Sequence, residues 1–538
     1  HAEVATYLES EVGAEDVVVL DALSPLVRHC TMPCHTFDNR SEAEVVAKLM
    51  ESASGYQRLW YVAYPEGDPH GWIDYQLRTN ALLIEQTTFP RVVVSCYLLP
   101  VQPSFGGPRI EAALNVNFGD LVRLASYGLT KDILEYRQEL GITLRWEAQR
   151  TMADNYALSL HLLDGEGHSW AQEDAWLLNS SGLPTAAWEA DERAEAWHLL
   201  SIPPGIPPGR YRVSILVYQT DTMEKVIVLG TDGYPPGTEY ILGTISIASP
   251  TVQPTLEDLA IPHALSHRLN DQLESLGYGL SSGEINAGDT VKVSLFWRSL
   301  RPMKQDYDLL LGLKDRTASI ELEAVFPLPS DSYPTSQWRI GETLCTPYDL
   351  LIEANVPIGG YQLFGNLLDS SGQELVSGGF TLTELEVTGR EHRLVSPEIR
   401  FPMRADVAHS ATLIGYDLDS TSIGPGGTLH LTLYWQSVAG MGKSYTVFSH
   451  FVDSQGRVWG QKDSMPCGGA CPTTSWLEGE FIADEYSIKV DPNAPAGEYQ
   501  IKVGMYGPES LDRLPAFDEI GRRWPDDCIV LETTILVG

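Results

Sequence analysis

Cys30 and Cys34, separated by Thr-Met-Pro and followed at once by His35, are the sharpest chemical motif of this 538-residue chain. Two thiols beside an imidazole are what covalent haem attachment uses, the thiols for the vinyl groups and the His as axial ligand. The usual spacing, however, has one residue fewer between the cysteines. Zinc would draw on His29, Cys30, Cys34 and His35, but no second ligand pair follows at the expected distance. The same residues suit a disulfide, either Cys30–Cys34 or Cys34–Cys96. The expectation is therefore no resident cofactor. Haem c at Cys30, Cys34 and His35, or divalent cations on acidic surface, are the alternatives.

Other reactive residues recur along the chain. His161 and His450 hold one repeat position that Gly312 fills in the middle copy, with Asp164, Asp315 and Asp453 three residues on. Because the Asp persists where the His is lost, it reads as a turn residue closing a hairpin rather than half of a catalytic pair. Asp191 with Glu192, and Glu478 with Glu480, offer the paired carboxylates that glycoside hydrolysis needs across a cleft. Glu192, Glu342 and Glu480 recur in all three copies, which points to the fold instead. Trp188, Trp338 and Trp476 sit in Pro/Thr-rich loops and are the candidate sugar-stacking platforms, whereas Trp146, Trp297 and Trp435 end apolar strands and read as core. Asn39 and Asn179 match the glycosylation acceptor pattern, a frequent chance match.

What positions these residues is a threefold repeat. Tyr127, Tyr278 and Tyr416 are followed by a strand-ending Trp, a Tyr (Tyr156, Tyr307, Tyr445), an Asp, a Pro-Thr-x-x-Trp element and finally Pro-x-Gly-x-Tyr, ending at Tyr211, Tyr361 and Tyr499. Each copy alternates apolar and polar residues in short runs such as Val291 to Trp297 and Leu429 to Trp435, broken by Gly, Pro, Asn and Asp. Period-two runs between frequent turn signals predict an antiparallel, Ig-like β-sandwich. Pro and Gly shape a corner from which Tyr opens the next strand, so Tyr211, Tyr361 and Tyr499 are expected to be buried and bonded to backbone across it.

Residues 1–102 differ. Asp16 to Leu20, Arg58 to Pro65 and Arg91 to Leu99 read as strands; Ser41 to Ala53 reads as a helix with Ser41 as N-cap and Glu44 completing a capping box, and a second helix is predicted over Gly71 to Glu85. That pattern predicts a small α/β domain with a parallel sheet and no phosphate loop. The expected organisation is 1–102, 103–249, 250–389 and 390–538, one α/β domain and three sandwiches.

With 36 basic against 72 acidic residues, the net charge of −36 disfavours nucleic acid and anionic membrane surfaces. No apolar run reaches the ~20 residues of a membrane helix. The chain starts at His1 without Met, which suggests that a signal or longer N-terminal region precedes it. Cys467 and Cys471 flank Gly-Gly-Ala, a loop tight enough for a disulfide in an oxidising compartment. The pairing of Cys30, Cys34, Cys96, Cys345 and Cys528 stays open, and the odd cysteine count leaves a thiol over.

The stretches LTLYWQS, SYTVFSHFVDSQGRVWGQKDSMP, PTTSWLEGE and APAGEYQIKVGMY, with DVVVLDA and RLWYVAYPEGDPHGWIDYQL near the start, resemble the soluble tail of bacterial membrane glycosyltransferase-like proteins of the lipid-linked-sugar, mannosyltransferase type. The resemblance covers most of the chain and its motifs are structural. It implies an extracytoplasmic, non-catalytic module, because the membrane helices and acidic loop that carry catalysis in that family have no counterpart here. The expected function is a surface or assembly module, not an enzyme, with glycans, other surface proteins or further copies of itself as partners. A glycan-binding module, a subunit of an extracellular filament or layer, and a monohaem redox protein are the alternatives.

Overall fold

The computed structural model describes residues 2–21, 24, 26, 32–37, 41–64, 68, 71–107, 110–229, 237–269, 271–317, 319–330, 332–375, 379–508 and 512–538. It is mainly β, with a small α/β region followed by sandwiches. The chain packs as two compact units, residues 1–260 with 341–345, and residues 261–340 with 346–538.

In the first unit, helix α1 (Ala2–Glu11) precedes β1 (Asp16–Asp21), β2 (Cys34–Phe37), α2 (Glu42–Ala53), β3 (Arg58–Ala63), α3 (Trp72–Asn80), β4 (Leu82–Phe89) and β5 (Val92–Leu98). The branched run Val17 to Val19 is fully buried, as a central strand covered on both faces requires. Ser41 caps α2 by accepting the Glu44 N–H at 3.3 Å. The strand order is β2-β1-β3-β5-β4. Pairing with β1 is parallel, but β3, β5 and β4 are antiparallel, so the sheet is mixed rather than parallel. The predicted second helix stops at Asn80, and the residues after it turn into β4. A tight turn at Pro90-Arg91, with Arg91 at φ 64°, then folds β4 back onto β5, a connection open only to antiparallel strands.

The same unit continues with β6 (Ile110–Phe118), β7 (Val122–Leu129), β8 (Ile133–Leu134), β9 (Glu139–Ala148), β10 (Tyr156–Leu163), β11 (Ser169–Trp176), β12 (Arg193–Ser201), β13 (Gly209–Gln219), β14 (Val228–Leu229) and β15 (Tyr240–Ile247). They form two sheets, β12-β9-β7-β6-β14 and β11-β10-β13-β15-β8. Alternate residues of the two inner faces interdigitate; Leu140, Ile142, Leu144 and Trp146 of β9 meet Leu158, Leu160 and Leu162 of β10 in one core. Each such side chain removed from water contributes roughly 1.5–3 kcal/mol before chain entropy is charged against it.

The second unit repeats this architecture twice. Strands from His263–Arg268 to Phe380–Thr388 form a four-stranded and a five-stranded sheet, and strands from Phe401–Val407 to Ile535–Val537 form a five-stranded sheet and a six-stranded one. The core of the last copy is built around Trp435, Trp476, Phe451 and Tyr499. Phe451 and Tyr499 stack at 4.7 Å with their planes 1° apart.

Candidate functional site

The residues that recur in all three copies are consumed by the fold. Tyr211, Tyr361 and Tyr499 donate their phenolic O–H to the carbonyls of Pro207, Pro357 and Pro495 at 2.8, 2.7 and 2.8 Å. In Pro-Thr-x-x-Trp, the Thr hydroxyl accepts the N–H of the copy-shared Tyr that precedes it: Thr185 from Tyr156 at 2.9 Å, Thr335 from Tyr307 at 3.0 Å and Thr473 from Tyr445 at 3.1 Å. The indole N–H of Trp188, Trp338 and Trp476 donates to the carbonyl five residues back, on Leu183, Tyr333 and Cys471. These three rings are only 2, 3 and 1% exposed, which corrects their reading as sugar platforms. A ring whose faces are packed and whose N–H is spent offers no surface to a pyranose. Trp146, Trp297 and Trp435 are likewise in the core.

The polar candidates are also committed. Glu192 and Glu480 accept the N–H three residues upstream, from Glu189 and Leu477, each at 2.9 Å, and Glu480 further accepts from Arg390 and from His392 Nδ1 at 2.9 Å. Asp164 Oδ1 accepts the N–H groups of Glu166 and His168, while Oδ2 takes the Trp170 indole N–H at 2.9 Å and His168 Nδ1 at 3.0 Å. Asp453 does the same with Gln455, Arg457 and Trp459. Burial works to raise the Asp164 carboxyl, but the hydrogen bonds from His168 and Trp170 outweigh it and hold it below the ordinary carboxylate range. Asp164, Glu166 and His168 bring ligand atoms within 4.8 Å of one another, but a cation would have to displace these bonds. His161 meets Ser159 Oγ at 2.8 Å, but its other nitrogen faces Ser169 Oγ at 3.4 Å instead of a carboxylate, and Ser159 is buried, so no nucleophile is presented.

Cys34 and His35 stand in β2, paired with Val18 and Val19, and Cys30 lies outside the described residues. Consecutive strand residues point to opposite faces, so His35 cannot serve as axial ligand to a haem held at Cys34, which corrects that reading. Cys96 and Cys345 carry free thiols pushed up to about 12 by burial, and Cys528 a free thiol raised chiefly by burial. The alternative Cys34–Cys96 bond is therefore not made. Cys467 and Cys471 are disulfide-bonded, with Cα atoms 5.5 Å apart; Cys467, Gly468 and Gly469 all take positive φ to close the loop.

A recess with room for a ligand lies in the first unit, against the sheet of the α/β domain. A cleft of 620 Å³ is walled by Tyr61, Ser95 and Tyr97 on the sheet, Gln86 of β4, Asp74 and Arg78 of α3, and Glu139 of β9. This is within the usual size range of small-molecule sites. Arg78 binds Glu139 in fork geometry, Nε to Oε2 at 2.5 Å and Nη2 to Oε1 at 2.6 Å, and reaches Asp74 Oδ2 at 3.3 Å. Burial opposes the Arg78 charge, yet Glu139 prevails and raises it further above its ordinary value. Asp74 remains 45% exposed, but the cleft walls displace enough water to raise its carboxyl despite Arg78. Gln86 donates to Ser95 Oγ at 3.0 Å. The rim supplies the partly exposed Asp74 carboxylate and the Gln86 amide, groups that can hydrogen-bond a polyhydroxylated molecule, while Tyr61 and Tyr97 are packed into its floor. Sequence reasoning missed it because Asp74 and Arg78 lie far along the chain from Glu139, and no motif joins them.

No family model and no curated protein matches this chain. Among solved structures, the C-terminal domain of wzt is similar over 27% of this chain and 83% of that domain, at 9% identity and a TM-score of 0.19. A likeness that slight shows neither a shared fold nor a shared role.

Proposed function

We propose that the chain is a non-catalytic, extracytoplasmic surface or assembly module in which the sandwiches are scaffold and the recognition cleft lies where the α/β domain meets the first of them. The observation behind this reading is that the side chains recurring through the copies are tied into corners, turn caps and cores, leaving no repeated group for chemistry. The Cys467–Cys471 disulfide favours an oxidising compartment, and among the described residues no helix is long and apolar enough to cross a membrane. The resemblance to the soluble tail of membrane glycosyltransferase-like proteins agrees with both.

Glycan binding is the specific form of recognition that the cleft favours, through the Asp74 carboxylate and the Gln86 amide at its rim. The test pairs a glycan array with turnover assays on lipid-linked sugars, nucleotide sugars and model glycosides. Binding without turnover, weakened by Gln86→Ala on exposed β4, is the expected result. Sustained turnover abolished by one carboxylate substitution would overturn the non-catalytic reading.

A further inference from the structure

A second hollow, of 390 Å³, shares Asp74 and Arg78 with the cleft and is lined beyond them by Trp72, Glu173 and Trp197. We propose that it binds the primary ammonium group of a small amine of hexosamine size; this rests on the recognition reading above and names the ligand chemistry. Trp72 and Trp197 meet edge to face at 6.5 Å and 89°, giving apolar surface and negative ring faces on which a cation is favoured. Beside them, Glu173 Oε1 sits 3.3 Å from His198 Nδ1, but Glu173 Oε2 is shielded from solvent and has no hydrogen-bond partner among the described residues. His198 is 4% exposed, and its Nε2 also lacks a partner.

A shielded carboxyl oxygen left without a hydrogen-bond partner is costly, and a cationic N–H donor supplies the missing bond. Arg78 cannot provide it, since its fork is engaged by Glu139. Asp74 adds a second negative group, raised by burial against the pull of Arg78, so the local balance calls for a cation. The terminal torsion of a Glu side chain is soft enough to turn Oε2 to the wall.

The repeat supplies an independent pointer. Six residues beyond the shared Glu192, Glu342 and Glu480 stand His198, Tyr348 and Tyr486. Glu173 pairs with Leu160, where the equivalent Leu311 and Ser449 pair with Ala324 and Lys462. The Glu–His pair thus occurs only in the copy that carries this hollow, and a residue pair required by the sandwich itself would recur.

Calorimetric titration of the whole chain with glucosamine, and with glucose as the isosteric neutral control, tests this. Glucosamine should bind and glucose should not. Glu173→Gln should weaken glucosamine about tenfold or more, the usual effect of losing a charged hydrogen bond. If that variant fails to fold, Trp197→Ala, on a half-buried ring, should show the same loss. Equal binding of glucose, or full affinity in either folded variant, overturns the ammonium site while leaving glycan recognition standing. Binding of neither sugar overturns the hollow as a site, whatever the glycan array reports for the cleft.

Discussion

Replacing Asp484 with Asn should make the last sandwich more stable at neutral pH, not less. Asp484 lies on the strand Phe481–Lys489 with no solvent exposure. Its Oδ1 accepts the Cys467 N–H at 2.8 Å, and its Oδ2 accepts the Tyr486 phenol at 2.5 Å. Burial raises its carboxyl from 3.8 to about 6, against these hydrogen bonds and with help from Glu485. A carboxyl raised by folding binds its proton more tightly in the native state, so its contribution is fully present below the unfolded value near 4. It is lost as pH rises through about 6. A displacement of about two pH units corresponds to roughly 3 kcal/mol, an upper bound at pH 7.5. Asn keeps the acceptor for Cys467, cannot ionise, and its amide can donate to the Tyr486 oxygen. Hydrogen exchange of the peptide covering Phe481–Lys489, compared between the two proteins at pH 4 and pH 7.5, isolates this group from the many other carboxylates. The variant should be the better protected at pH 7.5 and about equal at pH 4. Equal destabilisation at both pH values would refute the reasoning, because it would mean that the ionised carboxylate is worth its burial.

Tyr499→Phe removes the bond to Pro495 and should cost about 1 kcal/mol in denaturant unfolding, leaving the strand pairing intact. Thr335→Val strands the buried Tyr307 N–H and should cost more, roughly 1–3 kcal/mol, which the same unfolding curves resolve. Reduction and alkylation of the peptide holding Cys467 and Cys471 should change its mass, and the doubly Ser-substituted chain should lose about 2 kcal/mol in its last sandwich, because the closed loop is short.

The sandwiches were legible because their information is local. Period-two alternation sets which residues face inward, and Pro-x-Gly-x-Tyr spells out a corner within five residues. The Cys467–Cys471 bond is local in the same sense. Where local reading failed, a longer-range term decided. Pro and Thr around Trp188, Trp338 and Trp476 suggested exposed loops, but the Thr hydroxyls cross to the adjacent strand and take up the polar work of the turn, which frees each indole to enter the core. Leu82 to Phe89 carries Glu, Gln and Thr at positions where a helix would tolerate them, and only pairing to β5 makes it a strand.

Function separates from fold along the same line. A residue present in every copy has been retained under three different surroundings, so its role must be one that any sandwich shares. The corners, capped hairpins and packed indoles meet that condition. A ligand site need satisfy only one surrounding, and it should therefore sit where the copies diverge. Glu173, Trp197 and His198 diverge together, and they do so beside helix α3 of the α/β domain, with Trp72, Asp74 and Arg78. Repetition thus explains why the most visible motifs of this chain are tied into the fold, and why the residues proposed for recognition had no motif by which to be found.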